Sequence, residues 1–574
     1  YYDAMLNHKS IYVTALDLQN AFGSVDHDMI IQCLKERGFP DDFCRIIENI
    51  YQGSTTKIIT NRFTSKRINV KRGTKQGCPV SPLLFNLCLE PLFKAINTLN
   101  PDDGYSITWN NMTVSFNALA YADDLLIISD SLKGMNNILK VCDWFFKYSN
   151  LVLAASKSCS VGYIWEHQSR CSLKTPFKIG EVEIPFVNLD TSIKYLGTPV
   201  AARKITKLKS SEAYCNKFKV KALKIFNSDL RITQKIHAIK TFVFPTLDFI
   251  LENGQLKIKD IEGLDHFVAK NINIMFQGNV PTALKHASWK DGGLSIPSLR
   301  DKTETCRIKA LIRMLTNKDD RIKLLAQKAL DNERSKRKIE LIKDTEESTF
   351  FNWKHYNHDP HKGTNSIIQR ARISLQNLNL SLSKVALNKI ANIDGIEEEE
   401  LHNNSINDED TFILKEVTSD NKLTFTDSKK ISLFLTTLRK KFWASCASKQ
   451  SMHLHSLYSF ADNPLSNSYI INYNLPASDS FIRFAIKSRV NILGTPEFDE
   501  IIHNAPHKPC PLCSFTGANA TQSLAHILNG CVKRYPFYTN RHNRVQSVII
   551  NALKDLPHVS EIHKDSKIPI SNLP

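Results

Sequence analysis

The sequence predicts an α+β fold: an antiparallel sheet with packed helices over residues 1–200, then mostly helical regions, then a small Cys/His knuckle. Three observations carry this. Apolar, β-branched-rich runs alternate with amphipathic helical patterns in the first part of the chain. A lysine-rich helical pattern, from about Ala202 to Asn253, takes over afterwards. Near the end, Cys510-x2-Cys513-x12-His526-x4-Cys531 gathers a close sulfur pair and a His/Cys pair across a short loop.

Taken in order, Ile11 to Leu16 reads as a strand ending at Asp17, and Asp26 can cap a helix from His27 to about Arg37 that Gly38 closes. In that helix Ile30, Cys33, Leu34 and Arg37 share a face. The next helix, around Asp42 to Tyr51, repeats the pattern with Phe43, Ile46, Ile47 and Ile50, so both helices are expected to pack on a sheet. Lys57 to Val70 alternates as a hairpin, and the tight segment Arg72 to Pro82 leads into an apolar, buried helix from Leu83 to about Ile96. Val114 to Ala120 and Leu125 to Ser129 flank Tyr121-Ala122-Asp123-Asp124, which makes a hairpin with two acids at its tip. An amphipathic helix, Met135 to Ser149, follows. Beyond the lysine-rich region, Asp291-Gly292-Gly293 marks a turn, Thr303 to Glu340 is another basic helical stretch, and the acidic, Asn-rich Ile396 to Asp410 reads as an exposed linker within a third domain.

A chain of 574 residues is too long for one compact domain and predicts about three or four. The net charge of +18 is spread along the whole chain, which points to broad surfaces facing a polyanion, nucleic acid first; a merely basic soluble protein is the plainer alternative. Thirteen cysteines without dense pairing argue for a reducing compartment. Apolar runs such as Leu125 to Ile128 fall far short of the roughly 20 residues that cross a bilayer. An intracellular protein is therefore expected. A chain that opens on Tyr1 and enters a strand within a dozen residues reads as a fragment whose start lies upstream.

Nucleotidyl transfer uses two divalent metals about 3.5–4 Å apart, so it needs carboxylates that converge. Asp17 at a strand end, with Asp123 and Asp124 at a hairpin tip beside it in one antiparallel sheet, supply that arrangement. Taken singly, each acid also fits an ordinary turn or helix-entry position.

The motifs resemble the palm of reverse transcriptases, in their usual order, over roughly residues 11 to 200. Leu16-Asp17-Leu18-Gln19-Asn20-Ala21-Phe22 looks like the first palm motif, and Arg72-Gly73-Thr74-Lys75-Gln76-Gly77-Cys78-Pro79-Val80-Ser81-Pro82 like the second. Tyr121-Ala122-Asp123-Asp124 looks like the third, Lys157 falls at the lysine of the fourth, and Tyr195-Leu196-Gly197 looks like the primer grip. The resemblance implies a right-hand polymerase: RNA-directed DNA synthesis from dNTPs, with two Mg2+ held by Asp17, Asp123 and Asp124. Phe22 stands where a ring would clash with a ribose 2′-hydroxyl, or else packs in the core. Gln76 and Gly77 offer backbone to the incoming nucleotide, and Lys157 would offset charge on the leaving pyrophosphate. Relatives commonly carry Lys-Ala-Phe-Asp after the first aspartate, whereas this chain has Asn20-Ala21-Phe22-Gly23.

The segment Asp291 to Leu299, and the knuckle after a helical region, resemble site-specific retrotransposons without long terminal repeats that carry a restriction-like endonuclease. In those, a nicked target-DNA strand primes copying of the element's RNA, in the nucleus. The implied order is a palm with partial fingers over 1–200, a helical thumb over 201–300, a mostly helical linker region over 301–500, the knuckle over 501–535, and over 536–574 the start of an endonuclease at Arg541-His542-Asn543. Cys510, Cys513, His526 and Cys531 would close on one structural Zn2+, with His507 as a substitute ligand if His526 faces away. The rival readings are a nucleic-acid-binding relic without turnover and a group II intron maturase.

Overall fold

The computed structural model describes residues 2–166, 169–172, 176–188, 193–200, 209–253, 256–336, 351, 366–385, 411–417, 422–425, 430–448, 478–489, 495, 500, 505–514, 517, 520–523 and 526–554. The expected linker Ile396 to Asp410 lies outside them. The chain forms two compact units, each assembled from separate stretches: one from Tyr1–Ala213, Asn253–Gln255 and Ala310–Asp427, the other from Tyr214–Glu252, Leu256–Lys309 and Ser428–Pro574.

The first unit begins with α1 (Tyr2–Leu6), β1 (Ile11–Leu16), the short α2 (Ala21–Ser24), α3 (His27–Glu36) and α4 (Asp41–Tyr51). A two-stranded ribbon, β2 (Thr55–Thr56) and β3 (Ile68–Asn69), precedes the long α5 (Ser81–Leu99). Strands β4 (Tyr105–Trp109), β5 (Met112–Phe116), β6 (Ala118–Tyr121) and β7 (Asp124–Ser129) lead to α6 (Leu132–Ser149), then to β8 (Cys159–Glu166) and β9 (Ser169–Ser172). Two further hairpins close this run: β10 (Phe177–Ile179) with β11 (Val182–Ile184), and β12 (Ile193–Tyr195) with β13 (Thr198–Val200).

The main sheet runs β6-β7-β1-β8-β9, and β1 pairs antiparallel with both neighbours. A central strand covered on both faces is apolar on both, and β1 is. Tyr12 and Leu16 join the core with Leu34, Phe85, Ile138 and Phe145 from the helices, while Ile11 and Val13 face a second cluster with Tyr105, Ile107, Tyr163 and Leu324. Asp26 caps α3 by accepting from the Asp28 N–H at 3.1 Å, and Ser131 caps α6 through the Gly134 N–H at 3.1 Å.

Two expectations are corrected. Helix α4 buries Cys44, Ile47 and Tyr51, leaving Ile46 and Ile50 exposed. It packs on α3, and Cys44, Ile47 and Tyr51 join the core that holds Tyr12 and Leu16 of β1, so the i, i+3, i+7 stripe wins over the longer apolar one. The strand expected over Val114 to Ala120 is two strands that part at Asn117, whose side-chain amide donates to the Asn100 carbonyl at 2.7 Å; β5 pairs with β4 and β6 with β7. The region after Ala310 holds a three-stranded antiparallel sheet (Leu380–Val385, Thr411–Glu416 and Lys422–Phe425) among its helices.

In the second unit the described residues are helical, as the lysine-rich pattern predicts. Ile258–Phe276 buries Ile261, Leu264, Val268 and Ile272 in a core shared with Phe218, Ile236, Phe244 and Ile482. Among the described residues no helix is long and apolar enough to cross a membrane.

Candidate functional site

The register of β1 on β7 sets Leu16 opposite Leu125, so the next residues along, Asp17 and Asp124, stand side by side. Tyr121 pairs with Asp124, which leaves Ala122 and Asp123 as a two-residue tip. Ala122 adopts φ +53°, in the left-handed region that costs a non-glycine residue roughly 1–2 kcal/mol. That cost is borne because buried Leu125 and Ile127 lock the strand below the tip. Partial burial, then the charges of Asp123 and Asp17, push the Asp124 carboxyl above its ordinary value. The three acids are thus one electrostatic group.

Asp17 is also stitched to the segment that carries Lys157. Its N–H donates to Ser158 Oγ at 3.1 Å, and its carbonyl accepts from the Ala154 N–H at 2.8 Å. Gln19 bonds the Val152 carbonyl through its N–H at 2.8 Å and the Leu153 carbonyl through its side chain at 3.2 Å. Lys157 Nζ lies 3.8 Å from Asp17 Oδ1. Sequence reasoning missed Ser158, a buried hydroxyl with no motif to mark it.

The second-motif segment runs against the first. The Gly73 N–H donates to the Val25 carbonyl and the Thr74 N–H to the Phe22 carbonyl, both at 2.7 Å. Gly73 has φ +89°, and a Cβ there would lie 2.7 Å from Gly23 Cα. A Cβ on Gly23 would in turn stand 2.4 Å from the Asn20 side chain. Gly23, a departure from the usual aspartate, thus meets a close backbone approach. Phe22 is half-buried and stacks on the buried Phe85 with ring centroids 4.3 Å apart. Gln76 and Gly77 are exposed, and Gly77 takes φ +81° with open space around it. Tyr195 pairs with Thr198 across Leu196 and Gly197, both at positive φ as a type I′ turn requires. Burial, then the charge of Asp124, raises the Tyr195 phenol. The structure therefore brings Tyr195 into the electrostatic reach of the acids.

In the second unit the ligand atoms of Cys510, Cys513, His526 and Cys531 all lie within 4.8 Å of one another, the only such metal-ligand group among the described residues. A tetrahedral zinc with Zn–S of about 2.3 Å and Zn–N of about 2.0–2.1 Å sets S···S near 3.8 Å and S···N near 3.6 Å. The observed spacings are 4.0 Å for Cys510–Cys531, 3.7 Å for Cys513–Cys531 and 3.4 Å from Cys513 to His526 Nε2. Burial raises the Cys510 thiol, but the Cys513 N–H and the His526 side chain bring it down to about 6. His507, the substitute ligand, instead pairs with Glu500 at 2.9 Å.

Residues 2–200 match the family described as reverse transcriptase (RNA-dependent DNA polymerase). Within that class the chain is similar to Pol polyproteins of R2-type retrotransposable elements. It is 29% identical over 321 residues to the Retrovirus-related Pol polyprotein of the type-2 element R2DM of Drosophila melanogaster, covering 54% of this chain and 29% of that one. A type-1 R2 Pol polyprotein of Popillia japonica is 27% identical over 299 residues, covering 51% and 48%. The chain thus spans less than half the length of these curated relatives. Among solved structures, the telomerase of Candida tropicalis with a fragment of telomeric RNA aligns at 12% identity over 56% of this chain and 49% of that one, with a TM-score of 0.24, too low to carry an argument.

Proposed function

We propose that the chain is the RNA-directed DNA polymerase of a retrotransposon without long terminal repeats, copying element RNA from a nicked target-DNA primer in the nucleus, within a protein that also carries an endonuclease. The observation that supports this most directly is the adjacency of Asp17 and Asp124 in the sheet with Asp123 at the tip beside them. Asp17, Asp123 and Asp124 would hold two Mg2+, which when bound lower the pKa of the attacking hydroxyl and steady the triphosphate. Burial raises the Asp124 carboxyl, and the charges of Asp123 and Asp17 add to it, a repulsion that bound cations would offset.

The chain's own residues do the positioning. Ser158 and Ala154 fix the backbone of Asp17, and Lys157 places a cation beside it. Tyr195, with Leu196 and Gly197 in the turn below it, sets the primer end near Asp124. Phe22 stands against Phe85 where its ring would exclude a 2′-hydroxyl, and the Gln76–Gly77 backbone is open to an incoming nucleotide. Cys510, Cys513, His526 and Cys531 would hold one structural Zn2+, supporting the local fold.

Primer extension on an RNA template tests the reading. Asp123→Asn is expected to abolish synthesis while RNA binding stays nearly unchanged, because the carboxylate serves metals and not phosphates. Synthesis at more than about a tenth of the parent rate, less than 1.4 kcal/mol in barrier, would overturn the assignment.

A further inference from the structure

The ribbon between α4 and the second-motif segment, Thr55–Asn69, has unusual exposure. Ile58, Ile59, Phe63 and Ile68 are all exposed, Ile59 at 76% and Phe63 at 60%. From Ser54 to Arg72 the sequence holds six basic residues (Lys57, Arg62, Lys66, Arg67, Lys71 and Arg72) and no acid. Of these only Arg72 is in an ion pair, with Asp26 at 3.6 Å. A two-stranded ribbon is marginal in water unless something covers a face, and neither face of this one is covered.

Its irregularity concentrates the charge. Thr56 pairs with Ile68, but Ile58 bonds Ser65, donating to its Oγ and accepting from its N–H, both at 2.9 Å. Between those contacts Lys57 alone on one strand faces Lys66 and Arg67 on the other, a bulge made of three cations. Like charges across a ladder repel, so the free ribbon is strained in a way that a polyanion relieves. The base, by contrast, is firm: the Val70 N–H donates to the Ser54 carbonyl at 2.8 Å, and Gly73 abuts Gly23. The chain then runs directly into Gln76 and Gly77.

We propose that this ribbon is a docking surface for single-stranded RNA, with Lys57, Lys66 and Arg67 on phosphates and Phe63 under a base. Unpaired bases present the faces on which aromatic rings stack, and duplex bases do not. RNA as the strand follows from the reverse-transcriptase reading on which the proposal rests, since the template of such a domain is RNA.

The test measures binding of a labelled, unstructured RNA to the full chain across a salt series, beside primer extension by the same preparations. Phe63→Ala is expected to weaken RNA binding about tenfold at every salt concentration. The double substitution Lys57→Ala with Arg67→Ala is expected to flatten the plot of log affinity against log salt by about 1.4, two contacts of roughly 0.7 each. Loss of RNA affinity in both variants supports the surface whether or not single-stranded DNA binding falls with it. RNA binding equal to the parent's overturns it, including where only DNA binding or self-association is lost. The parent's own extension activity judges the polymerase reading separately: a parent that extends while the variants bind normally removes the ribbon alone, and an inert parent with weakened variants removes the polymerase reading alone.

Discussion

At the scale of single residues, Asp124 is where function and stability oppose each other. Its carboxyl is raised by partial burial and by Asp123 and Asp17, so the folded chain holds that proton more tightly than the unfolded chain does. Folding stability from this group therefore falls as pH rises above the ordinary carboxylate range of about 4. Asp124→Asn removes the repulsion but keeps the shape. Without divalent metal, it is expected to melt a few degrees above the parent at pH 7, a gap that closes as pH approaches about 4. Thermal melts over that range decide it, and equal melting at pH 7 would mean that the three acids do not repel.

Among elements, the helix Tyr535–Lys554 depends most on a small anchor, since its residues are largely exposed. Tyr538 ties it to the cysteine cluster: its hydroxyl donates to the Ile527 carbonyl at 2.9 Å and accepts from the Cys531 N–H at 3.3 Å. One zinc per chain by elemental analysis is expected, and chelation should open the 505–554 stretch to protease and cost far-ultraviolet helicity. Zinc-free protein with the same protease pattern would remove the metal. This knuckle was legible because its ligands lie within a short stretch and their spacing carries the chemistry. Strand β1, the cap at Asp26 and the acid-tipped hairpin were legible for the same reason, their signals being local in the chain. The break at Asn117, the packing of α4 on α3 and the clamp of Ser158 on Asp17 were not, because each is decided by a partner distant in sequence.

On the scale of the whole molecule, the matched domain ends at residue 200, but its compact unit continues from Ala310 to Asp427. Lys328 pairs with the half-buried Asp3 at 2.6 Å, whose carboxyl burial would raise but Lys328 and Tyr105 hold down. Asp331 accepts from the Trp109 ring N–H at 2.9 Å, and Leu324 packs with Ala4, Tyr105 and Tyr163. Removing one partner of such a pair costs about 3–5 kcal/mol when the pair is buried, and less at this partial exposure. A chain cut at residue 200 is accordingly expected to bind a hydrophobic dye and melt broadly where the full chain melts cooperatively. A sharp melt without dye binding would show the later stretch to be dispensable to the unit.

That unit is therefore written in the gene as separated passages. On a ribosome, Lys328 and Asp331 are made roughly 6 to 26 s after the matched domain ends, at about 5–20 residues per second. Throughout that interval Asp3 and Trp109 wait for partners not yet made, so the nascent chain must hold a sheet open on one face while the intervening helices are synthesised.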